Sequence, residues 1–256
     1  MRIISRIAIL ALLSLSCTGC SVMSQIGIDP VGLVYSAGNA ITAATLSDSE
    51  IVKLSRQTVA QMDMQNKVDV GKYHDRLQGL LTDVKDINGQ PLDFKVYITN
   101  QINAFACGDG SIRVYSGLMD VMDDAQLMAI IGHEIGHVVH KDTKKAMQRA
   151  YAGAAARGLV ASTNTVAGAI AGSALGDIAS SFVGAQFSQK QEFAADEYGC
   201  QFAIDHGFPQ DSMASALEKL VSLKSSSSTA SRVAQMFSSH PDSAVRAQRL
   251  REKISL

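Results

Sequence analysis

The sequence contains no tryptophan, only four prolines, and only 5% aromatic residues. It also lacks a charge of one dominant sign: 23 Lys and Arg stand against 24 Asp and Glu, for a formal net charge of -1. The basic residues are scattered, and few rings are present to stack on bases, so the composition excludes a nucleic-acid-binding protein. No repeat of solenoid period is visible. No run of large apolar residues is long enough for a comfortable membrane span, which needs about 20 of them. What remains is a chain of 256 residues, 46% hydrophobic. It is long enough to bury a sizeable core as one domain and leaves no obvious room for a second.

Cysteine is scarce as well, and two of the four sit at the N-terminus. The first twenty residues, MRIISRIAILALLSLSCTGC, carry Arg2 and Arg6, an apolar run from Ile7 to Leu13, and then small residues. That order is a secretory signal. The ending resembles a bacterial lipoprotein box, in which cleavage precedes a cysteine that then receives lipid. Cys20 fits best, although Cys17 stands where Leu is usual. Ordinary cleavage near Gly19 is the alternative. By the same resemblance, Ser21 would sort a lipoprotein to the outer membrane, with the mature chain on the periplasmic side of a bacterial envelope. Residues 1–19 are thus expected to be signal, 20–46 a Gly/Ser/Ala-rich tether, and 47–256 the folded domain. Cys107 and Cys200 could pair in an oxidising compartment or remain two buried thiols.

Along the folded part, Ser47-x-x-Glu50 predicts a helix start with the helix running to about Asp63, and a second helix is expected over 71–84. INGQP (87–91) is turn chemistry. LDFKVYIT (92–99) alternates like a strand, and two short strands, 103–107 and 111–116, flank Gly108-Asp109-Gly110 as a hairpin. Asp123-x-x-Gln126 is a capping box opening a long helical pattern that runs on to about Ala150. Residues 151–186 are rich in Ala, Gly and Ser, with Gly168, Gly172 and Gly176 spaced by four. They read as a close-packed helical insert, with a membrane-apposed or dimer-forming helix as the alternative. Helices follow over 187–207 and from Asp211 to about Lys224, then a Ser-rich flexible linker or mobile loop (225–231), then a last helix after His240-Pro241.

The chain has six histidines, and three of them fall within eight residues, in IIGHEIGHVVH (130–140). Residues four apart share one face of a helix, so His133 and His137 can hold one metal ion together. Glu134 is turned about 100° from His133 and sits beside such an ion, where a base acting on water belongs. This is the HExxH arrangement of zinc hydrolases. With six His and six Glu in the chain, roughly 0.003 accidental matches are expected, so the pattern outweighs a core helix with satisfied imidazoles. Catalytic zinc wants three protein ligands and an open position. His140 lies on the same face, but about 10 Å from His133 along an unbroken helix. Glu192, in QEFAAD on a later helix, is the stronger third ligand. Asp196, one turn on, can accept the free N–H of a ligating imidazole.

HEIGH together with EFAAD resembles the gluzincin metallopeptidase family that includes the HtpX-type, Oma-type and CAAX-prenyl endopeptidases, over roughly residues 47–252. The resemblance is strongest to short lipoprotein members without spanning helices. It implies an α+β fold, a mainly helical zincin-type domain with a small sheet of about three strands, and one Zn2+ per subunit. It also implies that Asn103, Ala104, Phe105 and Ala106 form an edge strand bordering the cleft, along which a peptide would lie antiparallel. Arg246 or His240, in HPDSAVRAQRL, would then face the oxyanion. His240 on a mobile loop could instead bind the metal as a fourth ligand and hold the enzyme latent. The implied function is a zinc endopeptidase acting on unfolded or misfolded envelope polypeptides, with envelope assembly machinery or self-association among possible partners. A zinc-containing periplasmic chaperone or binding module with little proteolysis is the rival.

Overall fold

The computed structural model describes residues 47–146, 149 and 186–255. The signal, the tether with Cys20, and nearly all of the 151–186 stretch lie outside the described residues. The chain forms two compact units, and all described residues except Arg149 belong to the one made of Leu46–Met147 and Ser181–Leu256.

That unit opens with helices α1 (Asp48–Gln65) and α2 (Lys72–Leu80). The INGQP segment makes a minimal hairpin, β1 (Asp86–Ile87) with β2 (Gln90–Pro91). Its two turn residues, Asn88 (φ 52°) and Gly89 (φ 78°), are both left-handed, as a tight two-residue hairpin turn requires. The main sheet has three strands: β3 (Asp93–Tyr97), β4 (Ala104–Ala106) and β5 (Ser111–Tyr115). Their spatial order is β3-β5-β4. β5 is the centre and is buried at all five positions. It runs parallel to β3 and antiparallel to β4, with Ala104 opposite Val114 and Ala106 opposite Ile112. Strand β4 therefore has a free edge among the described residues.

Six named helices follow among the described residues: α3 (Ser116–Val121), α4 (Asp124–Val139), α5 (Gln189–Asp205), α6 (Ser212–Ser225), and the pair α7 (Ala234–Ser239) and α8 (Ser243–Ile254). The core lies between the sheet and these helices, with Val96, Ile112, Val114, Leu127, Ile131, Ile135, Leu217 and Leu250 among its buried members. On the other side, α1 is held to the sheet by Asp63. Its carboxylate accepts hydrogen bonds from Arg113 Nε (2.8 Å), Lys95 Nζ (2.7 Å) and Tyr97 Oη (2.7 Å). Arg113 is fully buried, and burying a guanidinium is tolerable only with such pairing.

Several expectations change. The helical pattern that was to run unbroken to Ala150 stops at Val139. Lys141 takes a left-handed backbone (φ 55°), and a new helical stretch begins at Asp142. Asp211 stands at the N-cap of α6 but makes no cap bond, because its carboxylate is taken by Arg251 Nη1 at 2.8 Å. The Ser-rich 225–231 segment is a series of hydrogen-bonded turns rather than a linker, with Ala230 N bonded to Ser226 O and Arg232 N to Thr229 O. Short helix α7 has no counterpart in the sequence reading. Cys107 and Cys200 are free thiols, and burial pushes the pKa of both upward. No helix among the described residues is long and apolar enough to cross a membrane.

Candidate metal centre

Helix α4 starts at the expected capping box: Gln126 N donates to Asp123 Oδ1 (2.8 Å), and Asp123 N donates to Gln126 Oε1 (3.3 Å). It then runs through the core with thirteen consecutive buried residues, Gln126 to Val138. Helix α5 starts at a second capping box, Ser188 with Gln191, and packs against α4 at very short range. A Cβ on Gly199 would lie 2.6 Å from Ala129 O, and one on Gly136 would lie 3.1 Å from Ala195 Cα. Glycine at these points is what lets two helices carrying ligands approach this closely.

The approach brings His133 and His137 of α4 against Glu192 of α5, and His240 joins them from the end of α7. One donor atom from each of the four lies within 4.8 Å of the others, and all four residues are buried. His133 Nε2 is 3.1 Å from His137 Nε2 and 3.2 Å from His240 Nδ1. Glu192 Oε1 is 3.4 Å from His137 Nε2 and 3.1 Å from His240 Nδ1. Two ligands about 2.0–2.1 Å from one tetrahedral ion stand about 3.3–3.5 Å apart, so the cluster has the spacing of a single coordination shell.

The far side of each imidazole settles its proton. His133 Nδ1 meets Asp196 Oδ1 at 2.9 Å, and His137 Nδ1 meets Asp142 Oδ2 at 3.0 Å. In the neutral rings each Nδ1 is therefore the donor, and the two Nε2 lone pairs face each other. Such a pair repels unless a cation lies between them. Nitrogen and carboxylate donors in this geometry fit a divalent ion of zinc type.

The charged surroundings agree. Burial disfavours the ionised form of Glu192, but His240, His137 and His133 hold its carboxyl far below the usual range. Asp196 is likewise lowered against its burial, by Arg246 and His133. His133 is lowered, chiefly by burial. His137 resists the same burial through Asp142 and Glu192 and is lifted to about 9. Arg246, 1% exposed, donates Nε to Asp196 Oδ2 (2.8 Å) and pairs through Nη1 with Glu192 Oε2. Its guanidinium is thus committed to the two carboxylates of α5. Glu134 is 2% exposed; its Oε1 has no hydrogen-bond partner among the described residues and lies 3.5 Å from His240 Nε2. Ile130, Met213, Leu217 and Met236 form an apolar wall beside His133, Glu134 and His240.

His140, considered and set aside as a ligand, caps the end of α4 and is exposed. Asn103, Ala104 and Phe105 are buried at the start of edge strand β4, and Ala106 is half-buried. Sequence reasoning missed Asp142, Gln191 and Phe187. Gln191 caps α5 through Oε1 and donates Nε2 to Asp142 Oδ1 at 2.7 Å. Phe187 stacks on the His137 ring, centroids 3.9 Å apart. The Ser188-x-x-Gln191 pattern was the readable signal for one of them.

Comparison with known proteins converges on the same region. The sequence profile of peptidase family M48 matches residues 70–254. Metalloprotease LoiP of Escherichia coli (strain K12) is 39% identical over 243 residues, covering 93% of this chain and 92% of the relative. Metalloprotease YcaL of the same strain is 37% identical over 241 residues, with the same coverage. The beta-barrel assembly-enhancing protease of that strain is 33% identical over 140 residues, 51% of this chain and 28% of the relative. These similarities and the buried donor cluster agree: the chain belongs to peptidase family M48, as a metalloprotease.

Proposed function

We propose that the chain is a zinc-dependent endopeptidase of the bacterial cell envelope that hydrolyses unfolded or misfolded polypeptides. The observation that carries the reading is the pairing of a buried two-histidine, one-glutamate cluster with an adjacent buried carboxylate, Glu134, whose Oε1 has no hydrogen-bond partner among the described residues. Bound Zn2+ supplies Lewis acidity to the scissile carbonyl and to water. His133, His137 and Glu192 would hold it, Asp196 and Asp142 fix the two imidazole tautomers, and Arg246 positions the α5 carboxylates. Glu134 Oε1 takes the proton of the attacking water and hands it to the leaving amine. The peptide adds to the free edge of β4, antiparallel to residues Asn103–Ala106, through backbone hydrogen bonds that favour extended chains over any one side chain. The test is casein hydrolysis with zinc analysis. Glu134→Gln keeps the metal and loses cleavage, and wild-type turnover stops with a chelator. A Glu134→Gln enzyme that cuts at the wild-type rate refutes the mechanism. Metal retention with no casein cleavage by wild type supports the binding-module alternative.

The envelope assignment rests on the N-terminal sequence, with lipid on Cys20 as anchor and sorting to the outer membrane resting on that same motif. Mass spectrometry of the membrane-extracted protein should find an acylated N-terminal Cys20, and a soluble chain starting elsewhere rejects it.

A second reading concerns His240, favoured by the position of its Nδ1 among the donors. In this reading His240 fills the fourth position and keeps the enzyme latent until a substrate moves α7 aside, which requires substrate to bind the open form better. His240→Ala then raises basal casein cleavage and self-cleavage. If His240 instead serves the oxyanion, the same change lowers cleavage with zinc retained.

A further inference from the structure

Outside the metal centre, the described residues form several cavities that the mechanism does not use, and one of them adjoins the break after α4. It has a volume of about 160 Å³ and lies at the far end of the edge strand. Its roof is the start of α1, with Asp48 and Val52. Its floor is the β4–β5 turn at Gly108, fixed from below by Gln90 Nε2 on Gly108 O (3.0 Å) and from above by Gly108 N on Ser55 Oγ (3.1 Å). Its wall is the segment where α4 breaks. Val138 follows His137 directly, and Thr143 follows Asp142, so the wall is continuous with the residues that hold the metal-site imidazole.

The wall of this cavity presents donors. Lys141 and Lys144 bring two ammonium groups, and Thr143 brings a hydroxyl. Thr143 is 5% exposed, and its Oγ1 meets no partner among the described residues. Lys141 is presented through a left-handed backbone, uncommon for a residue with a side chain. One carboxylate already sits on the pair: Asp48 accepts from Lys141 Nζ and, at 3.2 Å, from Lys144 Nζ. These contacts hold the Asp48 carboxyl below its usual range. Asp48 and Lys141 are more than half exposed, so this ion pair is weak and open to exchange.

We propose that this cavity is a specificity subsite for an acidic side chain of the substrate, on the N-terminal side of the scissile bond, with Asp48 as its internal stand-in. The proposal rests on the antiparallel pose along β4 given above. A peptide in that pose runs N-terminally past Ala106 toward Gly108. Two further residues, at about 3.3 Å each, carry it from the end of β4 to the cavity. An Asp or Glu side chain there displaces Asp48, meets both ammonium groups, and gives the Thr143 hydroxyl an acceptor.

The test separates binding from cutting by using Glu134→Gln protein with metal bound. Fluorescein-labelled dodecapeptides of Gly, Ser and Val carry one Glu near the N-terminal end, or Gln or Lys at that position, or the same Glu near the C-terminal end. Anisotropy should show the N-terminal Glu peptide binding about fivefold tighter than its Gln counterpart, the range of one or two partly exposed ion pairs. The gain should shrink in high salt. It should vanish in the Lys141→Gln, Lys144→Gln double variant, and Asp48→Ala should enlarge it. Equal affinities for Glu and Gln peptides, an equal gain from the C-terminal Glu, a gain that survives the double lysine variant, or no peptide binding each overturns the subsite. Casein hydrolysis by the wild type judges the protease reading separately.

Discussion

Asp142 is the residue whose removal should tell most about how the metal centre is held. Its Oδ2 accepts from His137 Nδ1 at 3.0 Å, while Oδ1 accepts from Gln191 Nε2 at 2.7 Å and Lys145 Nζ at 3.1 Å. In Asp142→Asn the shape survives, but one oxygen becomes a donor. If the new NH2 faces Gln191, two donors collide. If it faces His137, the imidazole must reverse its tautomer, and Nε2 then carries the proton where the metal needs a lone pair. Loss of a carboxylate behind a ligating imidazole lowers metal affinity by about 10–100-fold, or about 1.4–2.7 kcal/mol. A buried group left unpaired, here Gln191 Nε2, adds about 1–3 kcal/mol of destabilisation. Lys145→Met is the control, since Lys145 is half exposed and its ion pair is screened. Zinc affinity is read by chelator competition, and stability by thermal unfolding with and without metal. An Asp142→Asn protein with wild-type zinc affinity, or a Lys145→Met protein that loses as much, would refute this account of the site.

Two further outcomes follow from packing and charge. Gly199→Ala places a methyl 2.6 Å from Ala129 O, so α4 and α5 must part. Overpacking of this kind costs about 1–3 kcal/mol, and because ligands sit on both helices, zinc affinity should fall with the melting temperature. Asp63 is lowered from 3.8 to about 2; burial opposes this, and Arg113, Lys95 and Tyr97 outweigh it. A depressed carboxylate adds stability above its unfolded pKa and loses it as pH falls through the folded one. Asp63→Asn should therefore lower the melting temperature at neutral pH, with the gap to wild type closing between about pH 4 and 2.

The pattern of residues in the sequence carried the fold furthest where signals were local. The Asn88-Gly89 turn, the Asp123–Gln126 box and the alternating strands announce themselves within a few residues. That His133 and His137 share one face of α4 follows from helix periodicity, whereas Glu192 and Asp196, one turn apart on α5, are a weak pattern alone and informative only because the α4 motif precedes them. What the sequence hid were relations across long separations. Nothing in VRAQRL marks Arg246 as buried, because its partners lie about fifty residues earlier on α5. The break at Lys141 was hidden for another reason. No glycine or proline announces it in HKDTKK. The surrounding contacts overrule local preference there, since an unbroken helix would carry Asp142 away from His137.

That break shows how the centre divides into two halves. His137 draws its carboxylate from Asp142, five residues along the same chain, across a single left-handed residue, Lys141. His133 draws its carboxylate from Asp196, 63 residues away on α5, and Asp196 is held in turn by Arg246 of α8. His240 approaches from 107 residues away. The local half can form with α4 itself, whereas the distant half exists only when α5, α7 and α8 have docked. Metal binding therefore selects the completed fold over partly folded states, and its binding energy appears as folding stability. The same geometry explains why Gly136 and Gly199 matter to chemistry as well as to packing. They set the distance between α4 and α5, and that distance is the span across which Glu192 must meet the two imidazoles.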